Sequence, residues 1–404
     1  MEDRSMHKLL LSAAESHGLV GASVSSDDEL AALPQHHGVP VVGVRGEITI
    51  AGKPVSLSLA LRVSAPCCLP LIFMQPWDAF GVIPHIDTDG YVCYAQNEGL
   101  ILDPNRFEQV VSTSLNEAIA QIAAGANGEN SRDFIDEFLP YWNRQKGILS
   151  AHCFVEPSDA PKIVQAFVEG NTYQHVCDRE ADLRDYLSGS DAKHFTQRNA
   201  LYVPLPEGTV IIPPHPEAGW SPAEATTVLI QHLNDRTAKE IAKLCRKLTK
   251  REELVVVHLP RAAGNGGSLF GLKYEGVHKL HPLAGGPAPS SVSPVKLLRY
   301  DRSLLLPRGG ADAELHDKRV LVVGCGSVGG FLAVELARSG IGHLSLVDHD
   351  TLDGDNVFRH VLGRKHLNEK GNKAELLTTH ISENIPYMNV TPVPSRIEQA
   401  INGG

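Results

Sequence analysis

Residues 318–350 read KRVLVVGCGSVGGFLAVELARSGIGHLSLVDHD, and this stretch decides the fold of the C-terminal part of the chain. An apolar run leads into a turn that contains Gly324 and Gly326, and a helical pattern follows from about Gly329. A second apolar run ends at Asp348. The order strand, glycine turn, helix, strand and acid predicts the βαβ unit of a nucleotide-binding sheet.

The glycines of this stretch favour the close approach of an anion to the backbone. Gly324 and Gly326 allow a tight turn whose amide groups face a phosphate, and Gly329 lets the helix pack closely against the first strand. The amino terminus of the helix adds partial positive charge. Asp348 lies where a carboxylate can accept hydrogen bonds from ribose hydroxyls. On its own, this pattern is more typical of NAD-binding proteins than of ATP-binding ones.

Further polar residues follow Asp348 in the order Asp-x7-Asn-x2-Arg-x13-Lys, namely Asn356, Arg359 and Lys373. The motif RYDR, which ends at Arg302, precedes the first strand. A dehydrogenase has no evident use for two more cations and an amide here. An enzyme that cleaves ATP between the α- and β-phosphates does, because negative charge develops on both groups in the transition state.

Together these residues resemble the adenylating superfamily of ThiF- and MoeB-like proteins, which includes the ubiquitin-activating enzymes. The resemblance implies that the chain binds ATP with Mg²⁺. It also implies that Asp348 binds the ribose and that Asn356, Arg359 and Lys373 surround the triphosphate. Arg302 resembles the arginine that often reaches the ATP of a partner subunit in this superfamily, so a homodimer is expected by resemblance.

A second informative stretch, IPHIDTDGYVCY, occupies residues 83–94. It resembles the active-site region of ubiquitin-conjugating enzymes, in which a His-Pro-Asn triplet precedes the catalytic cysteine. Relative to Cys93, His85 holds the place of the asparagine and Gly90 holds that of a glycine often found in the family. Ile83 departs from the family pattern, because it stands where the family has its histidine.

The resemblance implies that Cys93 carries an acyl group as a thioester. Such a cysteine needs an exposed, irregular segment where a thiolate can form and a lysine amine can reach it. His85 could donate a hydrogen bond in place of the asparagine, transfer a proton, or only brace the loop. A buried structural thiol is the alternative for Cys93.

The composition is that of a mildly acidic globular chain. Its 404 residues carry a net charge of −10, which argues against non-specific binding of nucleic acid. Nothing approaches the ~18 apolar residues of a membrane helix or the pattern of a signal peptide. The seven cysteines form no C-x-x-C pair, so no metal site is predicted, and reduced thiols in a cytoplasm are expected.

We divide the chain into four segments. Residues 1–148 are expected to form an α+β domain of the ubiquitin-conjugating type, because a helix and an antiparallel meander precede the Cys93 stretch and helices follow it. Residues 149–280 are expected to form an α/β domain, for which a degenerate adenylation-like domain is one alternative. Residues 281–296, rich in Pro, Gly and Ser, read as a linker. Residues 297–404 are expected to form an incomplete Rossmann-like α/β adenylation domain.

The middle segment carries the weakest local signals. Residues 201–203 and 209–212 read as a β-hairpin. Ser221 opens a capping box, which predicts a long helix to about Lys250. Residues 254–258 read as a buried strand.

The two resemblances predict a fusion of conjugating-like and activating-like domains, as in antiphage (CBASS-type) or ubiquitin-like conjugation operons. The enzyme would adenylate the C-terminal carboxylate of a protein, with Arg302, Arg359 and Lys373 offsetting the phosphate charge. The acyl group would pass to an activating cysteine expected beyond this sequence, then to Cys93 and, with the help of His85, to a target lysine. The attached protein would be a ubiquitin-like protein or a cyclic-oligonucleotide synthase.

Two alternatives from other classes stay open. One is an NAD-dependent oxidoreductase with an unrelated front domain, which ATP–pyrophosphate exchange without nicotinamide binding would exclude. The other is a non-enzymatic docking scaffold, which a reducible adduct on Cys93 would exclude. Because further strands and an aspartate of the superfamily are not found in the sequence, we expect this chain to adenylate poorly by itself.

Overall fold

The computed structural model describes residues 3–96, 99–180, 183, 195–248, 252–261, 267–367 and 369–402. The chain folds into two compact units. The first comprises residues 1–149, 203–262 and 267–296, and the second comprises mainly residues 150–202 and 297–404. None of the helices in the described ranges combines the length and the apolar character that a bilayer-spanning segment requires.

An antiparallel sheet and the helices packed on it form the N-terminal part of the first unit. In chain order, the elements are α1 (Asp3–Ser16), β1 (Val20–Val24), α2 (Asp27–Ala32), β2 (Pro40–Ile50), β3 (Lys53–Arg62), β4 (Leu71–Gln75), α3 (Phe107–Ala126) and α4 (Phe134–Trp142). The strand order is β1-β2-β3-β4, and every pairing is antiparallel. This arrangement confirms the α+β prediction.

β3 shows how the sequence specifies this sheet. Val55, Leu57 and Leu59 are at most 2% exposed and alternate with serines, so one face of the strand lies in the core. Leu10 of α1 and Leu115 of α3 are fully buried in the same core. The helices therefore fix a rigid sheet, beside which the 83–94 stretch lies.

Four strands follow, which the sequence analysis anticipated only at residues 201–203. They are β5 (Leu149–Phe154), β6 (Lys162–Glu169), β7 (Thr172–Cys177) and β8 (Thr196–Pro204). β6 pairs antiparallel with β7 and β8, and β7 pairs parallel with β5. Runs such as LSAHCF in β5 mix small, polar and aromatic residues, so their alternation is too weak to predict a strand.

The single helix expected up to about Lys250 is instead two helices, α5 (Pro222–Ile230) and α6 (Asp235–Cys245), and Lys250 itself lies outside the described residues. The predicted capping box at the start of α5 is present. The prediction of one long helix was wrong because Asn234 caps the start of a second helix. Its side-chain oxygen accepts a hydrogen bond from the Thr237 amide at 2.9 Å.

The prediction of a hairpin in the middle segment was wrong for its second strand. β8 covers residues 201–203 and pairs with β6, whereas residues 209–212 belong to no strand. Pro213 and Pro214 follow them. Because neither proline has a backbone N–H group to donate, this segment is poorly suited to the hydrogen-bonded ladder of a β-sheet.

The stretch expected to be a linker, residues 281–296, is structured. It contains a short 3-10 turn and most of β11 (Ser291–Arg299), which continues an antiparallel ladder with β9 (Glu252–Leu259) and β10 (Ser268–Glu275). Valine alternates with serine at the start of β11, and this local pattern outweighs the Pro/Gly/Ser-rich composition. β9 confirms the predicted strand at residues 254–258. The domain limits as a whole stay predictions.

A parallel sheet forms the C-terminal part of the second unit. The elements are α7 (Arg302–Arg308), β12 (Arg319–Val323), α8 (Gly329–Arg338), β13 (His343–Val347), α9 (Arg364–Leu367), α10 (Lys373–Asn384), β14 (Asn389–Val393) and α11 (Ile397–Asn402). The order β12-β13-β14 is parallel throughout, with Val347 opposite both Val323 and Val393. The Rossmann-like prediction is confirmed. The carboxyl ends of the strands meet at one edge, where the glycine turn and Asp348 lie.

Candidate active sites

The turn between β12 and α8 is shaped by the predicted glycines. Gly324 has φ of +88°, and its amide donates to the Val347 carbonyl at 2.8 Å. A Cβ on Gly329 would lie 1.7 Å from the Gly324 carbonyl oxygen, so α8 can begin this close to the turn only with glycine there. A Cβ on Gly326 would meet nothing within 4 Å. The turn therefore leaves open space beside Gly326.

Asp348 follows β13, and its carboxylate faces the glycine turn. Oδ2 accepts a hydrogen bond from the Cys325 amide at 2.7 Å, and Oδ1 accepts one from the Asp350 amide at 2.7 Å. These bonds fix the carboxylate at a cavity of about 350 Å³, lined by residues that include Gly324, Asp348, His349, Asp350, Arg396 and Glu398. Each oxygen keeps a further lone pair, so the carboxylate can still accept bonds from a ligand hydroxyl.

Lys373 is the first residue of α10 and is 9% exposed. Its Nζ lies 3.3 Å from Asp350 Oδ2. The preceding Asn372, which the sequence analysis missed, ties this helix to the strand end. Its Nδ2 lies 2.9 Å from the Asp348 carbonyl oxygen and 3.0 Å from that of Asp350, while its Oδ1 caps α10. An asparagine just before a predicted helix was the available signal.

Asn356 and Arg359 lie on the segment that follows. The Oδ1 of Asn356 accepts a hydrogen bond from the Asp353 amide at 3.2 Å. Arg359 is exposed and forms no ion pair within the described part of the chain. The next residue, His360, joins this segment to the glycine turn, because its Nε2 donates to the Cys325 carbonyl at 2.5 Å.

His360 is a second position that the sequence analysis missed. It is 6% exposed, and burial lowers the pKa of its imidazole. A neutral ring with its proton on Nε2 donates a hydrogen bond to the Cys325 carbonyl. Its Nδ1 accepts a hydrogen bond from the Leu362 amide at 3.0 Å. The glycine turn is thus braced by a side chain for which the sequence carries no recognisable signal.

The RYDR motif builds the start of α7. Asp301 is fully buried, pairs with Arg299 at 2.7 Å and caps the helix. The Arg302 amide donates to Glu156 Oε1 at 2.7 Å, and its Nη1 lies 2.8 Å from His316 Nδ1. Within the described ranges, none of the hydrogen bonds or ion pairs of Arg302 involves the glycine turn. The structure does not bring it together with the other predicted nucleotide residues.

Residues 85–93 form a tight hairpin that carries Cys93. The Cys93 amide donates to the His85 carbonyl at 2.8 Å. Gly90, with φ of +93°, makes the turn, and a Cβ there would collide with the backbone of β4. The Cys93 thiol is free and exposed, which is contrary to the structural-thiol alternative and meets the first requirement of an acyl carrier.

His85 lies beside Cys93 and between two carboxylates. Its Nε2 is 2.8 Å from Asp133 Oδ2, its Nδ1 is 2.7 Å from Glu137 Oε1, and its φ of +66° is in the left-handed region. Hydrogen bonding with the Cys93 side chain, then with Glu137 and Asp133, raises the pKa of His85 to about 10. At neutral pH the ring is therefore an imidazolium that donates from both nitrogens.

The partners of His85 come from one face of α4 and the turn before it. Asp133 and Glu137 are four residues apart, and Tyr141 follows after four more. The Tyr141 hydroxyl lies 2.9 Å from the Ile83 carbonyl oxygen and braces the same loop. This spacing in the sequence places the three polar groups on one helix face. The spacing does not indicate that this helix face packs against the hairpin that carries Cys93, so the sequence analysis did not identify these three residues as part of the site.

Two known families match separate parts of the chain. The family described as Prokaryotic E2 family B matches residues 35–149, and the ThiF family matches residues 300–402. Residues 35–149 are thus similar to a prokaryotic E2 family, and residues 300–402 are similar to the ThiF family. The first match contains His85 and Cys93, and the second contains the glycine turn, Asp348 and Lys373. The resemblances drawn from the sequence are confirmed.

Among curated proteins, the chain is similar to several that are named ATP-dependent ubiquitin transferase-like protein Cap2. One, from Pseudomonas aeruginosa, is 25% identical over 79% of the chain and 59% of the relative, and one from Escherichia coli is 24% identical over 78% and 60%. The adenylyltransferase and sulfurtransferase MOCS3 of Sus scrofa is 41% identical over 21% of the chain and 19% of the relative. The chain thus spans less than two thirds of the Cap2 relatives. These matches do not favour the NAD-dependent alternative.

Proposed function

We propose that the protein containing this chain activates the C-terminal carboxylate of another protein with ATP and transfers it, through a thioester on Cys93, to a target lysine. The observation that carries the proposal is the exposed Cys93 thiol beside an imidazolium held by two carboxylates. The E2-like match and the names of the Cap2 relatives support the same class of reaction.

The ThiF-family domain has the groups that an ATP site requires. The open space beside Gly326 and the amino terminus of α8 suit a phosphate, and the fixed Asp348 carboxylate suits ribose hydroxyls. The nearly buried Lys373 and the exposed Arg359 would offset the charge of the triphosphate. Asp350, which lines the same cavity, offers an oxygen ligand for Mg²⁺, which would neutralise further phosphate charge.

In the first step, a carboxylate oxygen of the partner protein attacks the α-phosphorus, and the bond to pyrophosphate breaks. No general base is needed, because a carboxylate is already nucleophilic. The thiolate of an activating cysteine then attacks the acyl carbon, and AMP leaves. The Cys93 thiolate next attacks the new thioester, and the activating cysteine leaves as a thiolate. On this proposal, Asn356 contributes to the triphosphate site. Arg302 reaches the ATP of a partner subunit.

In the last step, a neutral lysine amine attacks the thioester carbon and the C–S bond breaks. The departing Cys93 thiolate takes up the proton that the amine nitrogen loses, so that an amide and a free thiol result. Both N–H groups of the His85 imidazolium face carboxylates, so His85 would contribute positive charge, and not a further hydrogen bond, beside the negative charge that develops on the sulfur. An imidazole whose pKa is about 10 is already protonated near neutral pH and accepts no proton. We therefore assign His85 the role of a cation that stabilises this charge and not that of general base.

The attached protein, on this proposal, is a ubiquitin-like protein or a cyclic-oligonucleotide synthase that presents its C-terminus. The enzyme works as a homodimer in the cytoplasm, where ATP is available and thiols stay reduced. It acts on protein lysines and needs neither nucleic acid nor a membrane.

Mass spectrometry of Cys93 tests the proposal. The purified full-length protein is mixed with Mg-ATP and cell lysate, and peptides that contain Cys93 are analysed without reductant. We expect an adduct joined through the C-terminal carboxyl of a protein, which dithiothreitol removes and which requires ATP. Cys93→Ser should abolish the reducible adduct.

Cys67→Ser is the matched control, because Cys67 is the other exposed cysteine of the described ranges and lies outside the site. This variant should keep the adduct on Cys93. An adduct that forms without ATP, or no acyl adduct on Cys93 under any condition, would favour the docking scaffold.

A further inference from the structure

His36 and His37 direct their imidazole nitrogens at one carboxylate oxygen. The Nε2 of His36 lies 3.0 Å from Asp89 Oδ2, and that of His37 lies 2.9 Å from the same atom. The three ligand atoms all lie within 4.8 Å of one another. In a tetrahedral zinc site, bonds of ~2.0–2.2 Å place neighbouring ligand atoms about 3.3–3.6 Å apart. The distances of 3.0 and 2.9 Å are somewhat shorter, so small shifts of the side chains would place all three atoms around one metal ion.

Other contacts hold two of these groups in place. His37 stacks on Tyr91, with ring centroids 4.0 Å apart and planes 16° apart, and its ring also meets the edge of Phe73. Asp89 Oδ1 accepts a hydrogen bond from the Tyr91 amide at 2.9 Å. This bond orients the carboxylate so that Oδ2 faces the two histidines. Support of this kind orients metal ligands before the ion binds.

Exposure differs among the three side chains. Those of His37 and Asp89 are 18% and 21% exposed, whereas that of His36 is 63% exposed. The site therefore has two fixed ligands and a third at the surface, with room on the solvent side for water to complete the coordination. Simple ion pairing is the competing account, because one carboxylate oxygen can accept two hydrogen bonds.

We propose that His36, His37 and Asp89 bind a divalent transition-metal ion of the zinc type. Two imidazoles and one carboxylate suit Zn²⁺, Ni²⁺ or Cu²⁺, whereas Mg²⁺ and Ca²⁺ prefer ligand sets of oxygen alone. The cysteine spacing gave no hint of this site. Asp89 is 52 residues from His37, so only the fold brings the ligands together.

The ion would join two segments of the E2-like domain. His36 and His37 lie in the 3-10 turn Gln35–His37 that precedes β2, and Asp89 lies in the hairpin that carries Cys93. Binding holds the tip of that hairpin against the 3-10 turn. This inference does not depend on the adenylation chemistry, and either can fail without the other.

Isothermal titration calorimetry with Zn²⁺, on protein stripped with a chelator, tests the site. The measurement uses a variant in which Cys67, Cys68 and Cys93 are serine, so that accessible sulfur does not contribute. We expect one saturable Zn²⁺ site that excess Mg²⁺ does not compete for. His37→Ala and Asp89→Asn should each weaken its Kd by about tenfold or more, because loss even of an outer-shell partner has effects of that size.

His349→Ala is the matched control, because His349 forms the other cluster of this kind among the described residues, with Asp348 and Asp350. It should leave the Zn²⁺ site unchanged. His36→Ala changes an exposed side chain, so it keeps the fold while it removes a ligand. Absence of Zn²⁺ binding, or binding that all three ligand variants leave unchanged, overturns the proposal.

Hydrogen exchange gives a second readout at a single amide. The acceptor of the Tyr91 amide is Asp89 Oδ1, so Zn²⁺ bound at Oδ2 should slow exchange of that amide by several-fold. Slowing that persists in His37→Ala would show that the ion acts elsewhere, which is also contrary to the proposal.

Discussion

The ring of His85 has a carboxylate within hydrogen-bonding distance of each nitrogen and a cysteine beside it. This environment raises the pKa of His85 from 6.5 to about 10, first through Cys93 and then through Glu137 and Asp133. The folded state therefore favours the charged ring. The resulting contribution to stability is fully present below about pH 6.5 and is lost as the pH rises through about 10.

Replacing Glu137 with glutamine should lower the pKa of His85, because it removes one of the negative charges that stabilise the imidazolium. NMR of the imidazole resonances measures this directly. In the unchanged protein, His85 should not titrate between about pH 5.5 and 8.5, and in Glu137→Gln its midpoint should move toward the ordinary value near 6.5. Asp136→Asn is the control, because Asp136 pairs with Arg261 and not with His85. A midpoint near the ordinary value in the unchanged protein would refute the role of His85 as a cation.

The glycine turn before α8 places two different demands on neighbouring glycines. Gly329 is required by packing, because a Cβ there would overlap the Gly324 carbonyl oxygen. Gly326 faces open space, so packing alone does not require glycine there. The proposed nucleotide site explains the glycine at position 326, because a phosphate of the nucleotide would occupy that space.

This difference predicts opposite phenotypes for two alanine variants. Gly329→Ala should destabilise the protein by about 1–3 kcal/mol through overpacking, measured by urea unfolding. Gly326→Ala should keep its stability but weaken the Kd for ATP by about tenfold, or ~1.4 kcal/mol, measured by calorimetry. Gly326→Ala that binds ATP as well as the unchanged protein would contradict the placement of the phosphates.

The predicted catalytic groups divide cleanly between the two compact units. Cys93 and His85 belong to the first, and the glycine turn, Asp348 and Lys373 belong to the second. No residue of the two candidate sites is shared. ATP binding and acyl transfer should therefore be separable by single substitutions.

Cys93→Ser should leave the Kd for ATP unchanged within about twofold while it abolishes the reducible adduct. Lys373→Met keeps the apolar stem of a nearly buried side chain and removes its charge, so it should weaken ATP binding by about tenfold and reduce the adduct with it. Calorimetry and mass spectrometry of the same preparations give both results. Weaker ATP binding in Cys93→Ser would show that the thiol contributes to the nucleotide site.

The sequence predicted best where a pattern is local. The strand–glycine–helix order of residues 318–350 depends only on neighbouring residues, and it appears in the structure as expected. The middle of the chain was predicted less well, because β6 finds its partners β7 and β8 through tertiary pairing. The same limit applies to the sites. Cys93 and His85 are close in sequence, whereas Glu137 reaches them across 44 or more residues of chain.

The left-handed backbone at His85 also restricts the amino acids that can occupy this position. Histidine, asparagine and aspartate enter this region more readily than other side chains do, and β-branched residues are strongly disfavoured there. Histidine here and asparagine in the conjugating enzymes are thus both compatible with the same main chain. An enzyme redesigned with asparagine at this position would lose the cation next to the sulfur without a change of loop conformation, which would separate electrostatic from conformational effects in a single exchange.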